Sequence, residues 1–305
     1  MSELKTLISQ ELAQPVDPRV AAFAASIAAQ YGEASRAVLF YGSCLRTTEL
    51  EGQMLDFYLI VSSYEAAYGK SWLAGANKRL PPNVFPAEHD GLVAKVAVLS
   101  EKDFHRLNRI GASAVSVWAR FAQPSRLVWQ VDEATKDGVV SCIEAASMTL
   151  FDLTLPMLGP EEQTMGDIWR KGFALTYNAE LRAERSNRSG SVVDSDPERY
   201  ERFGYATTAA IAKRDGVGPN GEVALIASPK KTAKRWRQLR RNGKMLTLAR
   251  LAKASATYAG GIDYLAWKIN RHAGTDYVIK PWQRKWPILG ALVMLPRLIV
   301  GGAIK

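Results

Sequence analysis

Cysteine is scarce here: Cys44 and Cys142 are the only two in 305 residues. Two cysteines make no disulfide framework, which excludes a small stapled domain and predicts a reducing compartment. Acids are scarce in one region. Residues 229–305 carry 17 Lys/Arg against two acids, Asp263 and Asp276, while residues 1–228 carry 23 against 28. The net charge of +10 therefore divides into −5 and +15. A basic last quarter implies an anionic partner, nucleic acid or anionic lipid. The last apolar stretch, 281–304, is not the clean run of roughly 20 residues that spans a bilayer, being broken by Pro287, Pro296 and Arg297. With Trp282, Trp286, Arg284 and Lys285 at its mouth it reads as an interfacial anchor, the alternative being a segment docked on the core or on a partner subunit. The first residues, Met-Ser-Glu-Leu-Lys-Thr, form neither a signal peptide nor an Arg-rich transit peptide. Internal repeats and low-complexity tracts are absent.

What is present has room for a large core and two domains. The pattern predicts helices over 18–31, 64–79 (closed by Pro81-Pro82) and 101–122. Strands are predicted over 36–43, 54–62, 91–99 and 125–131, the second apolar nearly throughout and hence central. From residue 136 the pattern turns helical, with segments at 136–157, 161–186, 198–213 and 231–271. A polar loop falls at 187–198 and a break near Asp215–Asn220. The division expected is an N-terminal α+β domain over 1–135, a helical domain over 136–228 and a basic helical region with a membrane-seeking tail over 229–305.

The chemistry concentrates in 38–61. An apolar strand enters Tyr41-Gly42-Ser43, and about ten residues later a second strand carries one carboxylate, Asp56. Glycine lets backbone approach a phosphate, serine can bond a phosphate oxygen, and a strand-borne Asp suits Mg²⁺. This pattern has the character of a nucleotidyltransferase, in which catalysis is mostly positioning and charge neutralisation. Gly-Ser alone is a common turn, and a lone strand Asp is often a structural acid; their pairing favours the functional reading. The usual second acid of an Asp-x-Asp pair is missing, since Tyr58 stands there. Asp90, Glu180 and Glu184 are the candidates to replace it, or one protein-held metal suffices. Lys95, inside an apolar strand, is costly unless paired and is a candidate phosphate ligand, the bland reading being a snorkelling edge lysine. Arg46 follows the turn where a phosphate clamp would sit. Tyr177, Glu180 and Glu184 share a face of the predicted 161–186 helix, with Arg182 and Arg185 beside it; on base rates that is a solvated face.

In these residues the chain resembles the phosphatidate cytidylyltransferases of the mitochondrial translocator-assembly-and-maintenance type. The likeness runs through Tyr41-Gly42-Ser43, Leu55-Asp56-Phe57, the Lys95 strand Ala94–Ser100, Val117–Pro124 with its Arg-x-x-x-Pro element at Arg120, and Thr176-Tyr177-Asn178-Ala179-Glu180-Leu181-Arg182. It spans roughly 38–182, with Trp72 and Asn77 a weak match to a further polar segment. Gly-Ser-Cys-Leu stands where the family has Gly-Ser-Gly-Val, and Glu180 where it has Asp. The resemblance implies a nucleotidyltransferase-type mixed sheet with flanking helices, a helical winged-helix-like domain and a basic amphipathic tail. It implies CTP and Mg²⁺ in the cleft, Asp56, Lys95 and Arg182 as catalytic groups, Tyr41, Gly42, Ser43, Arg46 and Tyr177 around the nucleotide, and Asp56 with Glu180 on metal. The expected partners are CTP, phosphatidate and anionic membrane lipids, with a second copy of the chain left open and no nucleic acid. The expected location is the cytoplasmic face of a bacterial inner membrane, held peripherally. The alternatives carried forward are a nucleotidyltransferase acting on RNA or a small molecule, and a non-catalytic membrane scaffold.

Overall fold

The computed structural model describes residues 2–47, 49–69, 71–162, 164–180, 192–216, 228–257, 278–285 and 290. Arg182, Glu184, Arg185, residues 187–191 of the expected 187–198 loop, the helix expected beyond 257, Trp286, Pro287, Pro296 and Arg297 lie outside them, and the described part of that loop is a helical turn at 192–194 followed by a helix from Pro197.

The chain opens on α1 (Glu3–Leu12), which Ser2 caps by accepting from the Lys5 N–H. Asp17 caps α2 (Pro18–Tyr31), where Pro18 loses no helical hydrogen bond, and Gly32 at φ 53° ends it. Then come β1 (Ser35–Tyr41), the short α3 (Ser43–Thr47) and β2 (Met54–Val61). The 64–79 helix is two pieces, α4 (Tyr64–Tyr68) and α5 (Trp72–Arg79), parted at Gly69 with φ 64°. A strand that the pattern does not announce, β3 (Asn83–His89), precedes β4 (Leu92–Ser100). The five strands lie in the order β3-β4-β2-β1-β5, with β5 at Ser125–Gln130. Only β2 and β4 run parallel, so the sheet is mixed. β2 is central, as its unbroken apolar run requires, and β3, which holds Pro86, takes an edge.

The 101–122 helix is also wrong as a continuous element. It is α6 (Glu101–Leu107) and one turn, α7 (Trp118–Phe121), with an irregular stretch between. That stretch does not need helical hydrogen bonds. Its carbonyls at Ile110 and Ala112 accept from Arg235, and the one at Ser113 accepts from Asn242.

Helices fill the rest: α8 (Glu133–Thr154), α9 (Met165–Ala179), α10 (Pro197–Arg214), α11 (Pro229–Thr257) and the short α12 (Pro281–Lys285). No strand occurs among the described residues after Gln130. The architecture is α+β: a mixed sheet flanked by helices, followed by a helical region. One described helix, Glu133–Met157, is long and apolar enough to cross a membrane, but most of it is buried in the protein.

The sheet has two dressed faces. Val38, Phe40, Phe57, Leu59 and Val98 pack under α2, with Phe23 against Phe57 at 5.4 Å. Leu39, Tyr58, Ile60, Ala97 and Leu99 share one core with α1, α8, α9 and α10. Gly172 brings α9 onto α8: a Cβ there would lie 2.5 Å from Leu150 Cδ2. Trp169 donates to the Tyr200 carbonyl at 2.8 Å, fixing α10 beside α9.

One buried ion pair ties the start of the chain to this helical layer. Arg199 on α10 holds Glu11 on α1 through Nε and, at 2.9 Å, through Nη2. Its guanidinium also stacks 4.1 Å from the Phe203 ring centre. Burial opposes the Arg199 charge, but Glu11 outweighs it and the pKa is raised. Removing one partner strands the other, so Glu11→Ala should cost about 3–5 kcal/mol in urea unfolding. Glu11→Gln, which keeps the hydrogen-bonding shape, should lose less.

Candidate active site

The register of the sheet places three of the sequence candidates in one row. Tyr41 pairs with Asp56 across β1 and β2, and Asp56 with Lys95 across β2 and β4. The row shares its face with Tyr58, whose ring is 5.2 Å from that of Tyr41. Asp56 and Lys95 are half-buried, at the end of the sheet where the shared core gives way to polar side chains.

Gly42 closes the row from above. Its φ is 97°, which L side chains rarely adopt, and a Cβ there would sit 2.8 Å from Asp56 Oδ2. Glycine is thus required for conformation and for space. The absent side chain lets the backbone of the turn lie against the Asp56 carboxylate. Ser43, the first residue of α3, is exposed, as is Arg46 in its last turn. Cys44 is buried and bonds the Met54 carbonyl through Sγ at 3.6 Å; burial, then Asp56, pushes its thiol pKa up.

Two half-buried arginines face this row. Arg120, in the last turn of α7, donates to the Ser116 carbonyl and hydrogen-bonds the Tyr41 hydroxyl. Burial works to lower its pKa, yet Tyr58, Glu180, Tyr41 and Asp56 together hold it raised. Arg250 comes from α11, donating from Nε to the Pro81 carbonyl and from Nη1 to Ser116 Oγ, both at 2.9 Å. Burial lowers its pKa, with Tyr58 and Glu180 favouring the charge and Arg120 repelling it. Both tyrosines stay protonated at neutral pH: burial first, then Asp56, raises Tyr41 well above its usual value, and burial raises Tyr58.

Glu180 is brought to the same cluster by a different route from the one its pattern suggested. α9 ends at Ala179, and Glu180 is its extended C-cap at φ −116° and ψ 154°. Tyr177 and Glu180 therefore do not share a helical face, and Glu184 lies outside the described residues. Glu180 is buried, and its charge acts on Tyr58, Arg120 and Arg250. Tyr177 is half-buried against the shared core in the last turn of α9. Asp90 stands apart at the β3–β4 turn, exposed and 3.5 Å from His89. Trp72 is exposed, and Asn77 is buried on the other side of the sheet, donating to the Val98 carbonyl at 3.0 Å. Neither belongs to this cluster.

Sequence reasoning did not single out Arg250 or Lys253, and Arg120 entered only within a motif. Lys253 is buried one turn beyond Arg250 and donates to the carbonyls of Leu80 and, at 2.8 Å, Pro82. Burial, then Arg250, lowers its pKa to about 7. Basic composition was the only signal for these groups.

Asp56 and Glu180 therefore meet Lys95, Arg120 and Arg250, an excess of positive charge suited to a polyanion, with Lys253 behind Arg250. Among the described residues no three His, Cys, Asp or Glu side chains converge on a metal position. The Asp56 carboxylate, beside a glycine turn that adds no side chain, nevertheless suits Mg²⁺, a hard cation that takes one or two protein carboxylates and completes its shell with phosphate oxygens and water.

No protein-family model matches the chain, and no curated protein matches it. Among solved structures it is similar to a nucleotidyltransferase-like protein from Exiguobacterium sibiricum 255-15, at 10% identity over 93% of this chain and 92% of that one, with a TM-score of 0.29.

α11 seats itself on α9 through Gly243, where a Cβ would lie 2.1 Å from the Ala179 carbonyl oxygen. Gly243→Ala should therefore push α11 off the site and cost about 1–3 kcal/mol, read as a lowered melting temperature. Lys253 gives a pH test. Its folded pKa lies below that of an unfolded lysine, so the unfolded chain binds more protons between about pH 7 and the ordinary lysine value of 10.5. The penalty is fully present below pH 7 and is relieved as pH rises through that window. Urea unfolding of the wild type between pH 7 and 9 should show a positive slope, at most about 1.4 kcal/mol per pH unit, that Lys253→Met lacks.

Proposed function

We propose that the chain is a Mg²⁺-dependent nucleotidyltransferase and, more finely, a CTP:phosphatidate cytidylyltransferase that makes CDP-diacylglycerol at a membrane surface. The observation that carries the reaction class is the Asp56 carboxylate against the Gly42 turn, in register with Lys95 and beside the half-buried Arg120, with Arg250 next to Arg120. A metal-holding acid inside a surplus of fixed cations is what transfer of a nucleotidyl group needs. The choice of CTP and phosphatidate is supported by the sequence resemblance and by the basic last quarter, which suits an anionic lipid surface.

In this reading a phosphate oxygen of phosphatidate attacks the α-phosphorus of CTP. The new P–O bond forms as the bond to the α–β bridging oxygen breaks, and pyrophosphate leaves with the electron pair. Gly42 and Ser43 admit the triphosphate close to the backbone. Lys95, Arg120 and Arg250 hold its charge in fixed positions before and during transfer. Tyr41 keeps its proton and positions Arg120. Asp56, with Glu180 as the second acid, would hold Mg²⁺, which neutralises phosphate charge when bound. Arg46 and Tyr177 would flank the nucleotide and Arg182 would bind phosphate, the roles that the resemblance implies. The protein acts on the cytoplasmic face of the membrane, held peripherally by its basic region.

The exposed cations of α11 also favour a second reading, a nucleotidyltransferase acting on RNA. Pelleting with anionic vesicles against retardation of RNA separates the two. The decisive measurement is pyrophosphate release from CTP on phosphatidate vesicles. Asp56→Ala should lose roughly 10²–10³-fold or more in kcat. Arg250→Ala should raise the KM for CTP about 10-fold or more, as expected for a lost charge-assisted hydrogen bond. Retained activity in Asp56→Ala sinks the assignment.

A further inference from the structure

A groove of about 420 Å³ lies between the end of α9 and the first turns of α11. It is outside the Asp56 cleft: Leu175 and Asn178 line it from α9, whereas Glu180, just past that helix, turns into the catalytic cluster. Three cations line it, Lys230, Arg237 and Arg240, all exposed and all on α11. Their spacing of seven and three residues puts them on one helical stripe. No carboxylate lines the groove, and among the described residues these three make no ion pair. Apolar side chains complete the lining, Met157 and Leu175 across from α11 and Trp236 on α11 itself. Trp236 is buried and held by its Nε1, which donates to the Leu153 carbonyl at 2.7 Å, so that part of the wall is fixed.

From this we infer that the groove binds the headgroup of one anionic phospholipid, its phosphate against Lys230, Arg237 and Arg240 and its glycerol shoulder against Leu175 and Met157. The charge pattern asks for an anion, and the apolar wall asks for an anion with a hydrocarbon attachment. A nucleic acid fits less well, because the one aromatic ring present is buried and offers no face for a base. The outer side of the same helix continues the surface, with Lys231, Lys234, Arg241, Lys244 and Met245 all exposed. The groove would thus hold the protein on the bilayer at a point separate from the lipid it turns over. The inference rests on reading α11 as a membrane-facing helix and not on the catalytic assignment.

The test uses the full chain and phosphatidylcholine vesicles with and without phosphatidylglycerol, read by flotation at fixed ionic strength. Two double variants remove the same charge from α11: Arg237→Gln with Arg240→Gln in the groove, and Lys231→Gln with Arg241→Gln outside it. The groove pair should weaken binding to anionic vesicles about tenfold or more, and the outer pair no more than about threefold. Equal losses, which diffuse charge attraction predicts, or no loss in the groove pair, would overturn the proposal. So would full release by millimolar inorganic phosphate at constant ionic strength, which would show a free-phosphate site. Both pairs should retain the wild-type melting temperature and Mg²⁺-CTP titration. If the wild type binds vesicles in this pattern but does not bind CTP, the catalytic reading falls and the lipid groove stands.

Discussion

Seven backbone carbonyls across three separate segments are answered by side chains of one helix. Arg235, Trp236, Asn242, Arg250 and Lys253 on α11 donate to Ile110, Ala112, Leu153, Ser113, Pro81, Leu80 and Pro82. A carbonyl taken from water must find a donor, and these loops have surrendered their own helical and strand partners. The irregular course of 108–117 and the turn into β3 therefore depend on α11. The site depends on it in turn, because Arg120 donates to Ser116 in one of those loops and Arg250 comes from α11 itself.

The electrostatics follow from that constraint. Bringing Arg250 and Lys253 under cover costs free energy, visible as pKa values lowered by burial. Glu180 offsets part of the cost at Arg250 but leaves the cluster with more positive than negative groups, since Tyr58 keeps its proton. A fold that stabilised only itself would gain by replacing such cations with apolar side chains of similar volume. The retained imbalance is a standing preference for an anion, fixed in place before one arrives.

Much of the sheet could be read from the sequence because burial on both sides leaves an unambiguous apolar run, as at β2 and β4. The edge strand Asn83–His89 could not, since Pro86 and alternating exposure erase that run. Gly42, Asp56 and Lys95 were legible as candidates because strand chemistry is local, and the register then sets them side by side. Arg250 and Lys253 were not. Helical periodicity separates inside from outside, but it does not say which distant carbonyl an inward cation will meet. The same gap produced the continuous 101–122 helix: the segment has helical composition, and its carbonyls are claimed by residues more than a hundred positions away. Glu180 was picked for the right neighbourhood by a helix face that does not exist, because α9 stops one residue earlier.

The face of the sheet that carries Leu39, Tyr58, Ile60 and Leu99 is complete in strands once Gln130 has been made, yet its cover includes α10, ending near Ile211. On a ribosome adding about 5–20 residues per second, that interval lasts roughly 4–16 s. Throughout it a sheet with one finished and one bare apolar surface must persist, with α1 already present but its Arg199 counter-ion not yet synthesised. The arrangement that gives the mature protein a single shared core makes its nascent chain a substrate for chaperones that hold exposed apolar surface.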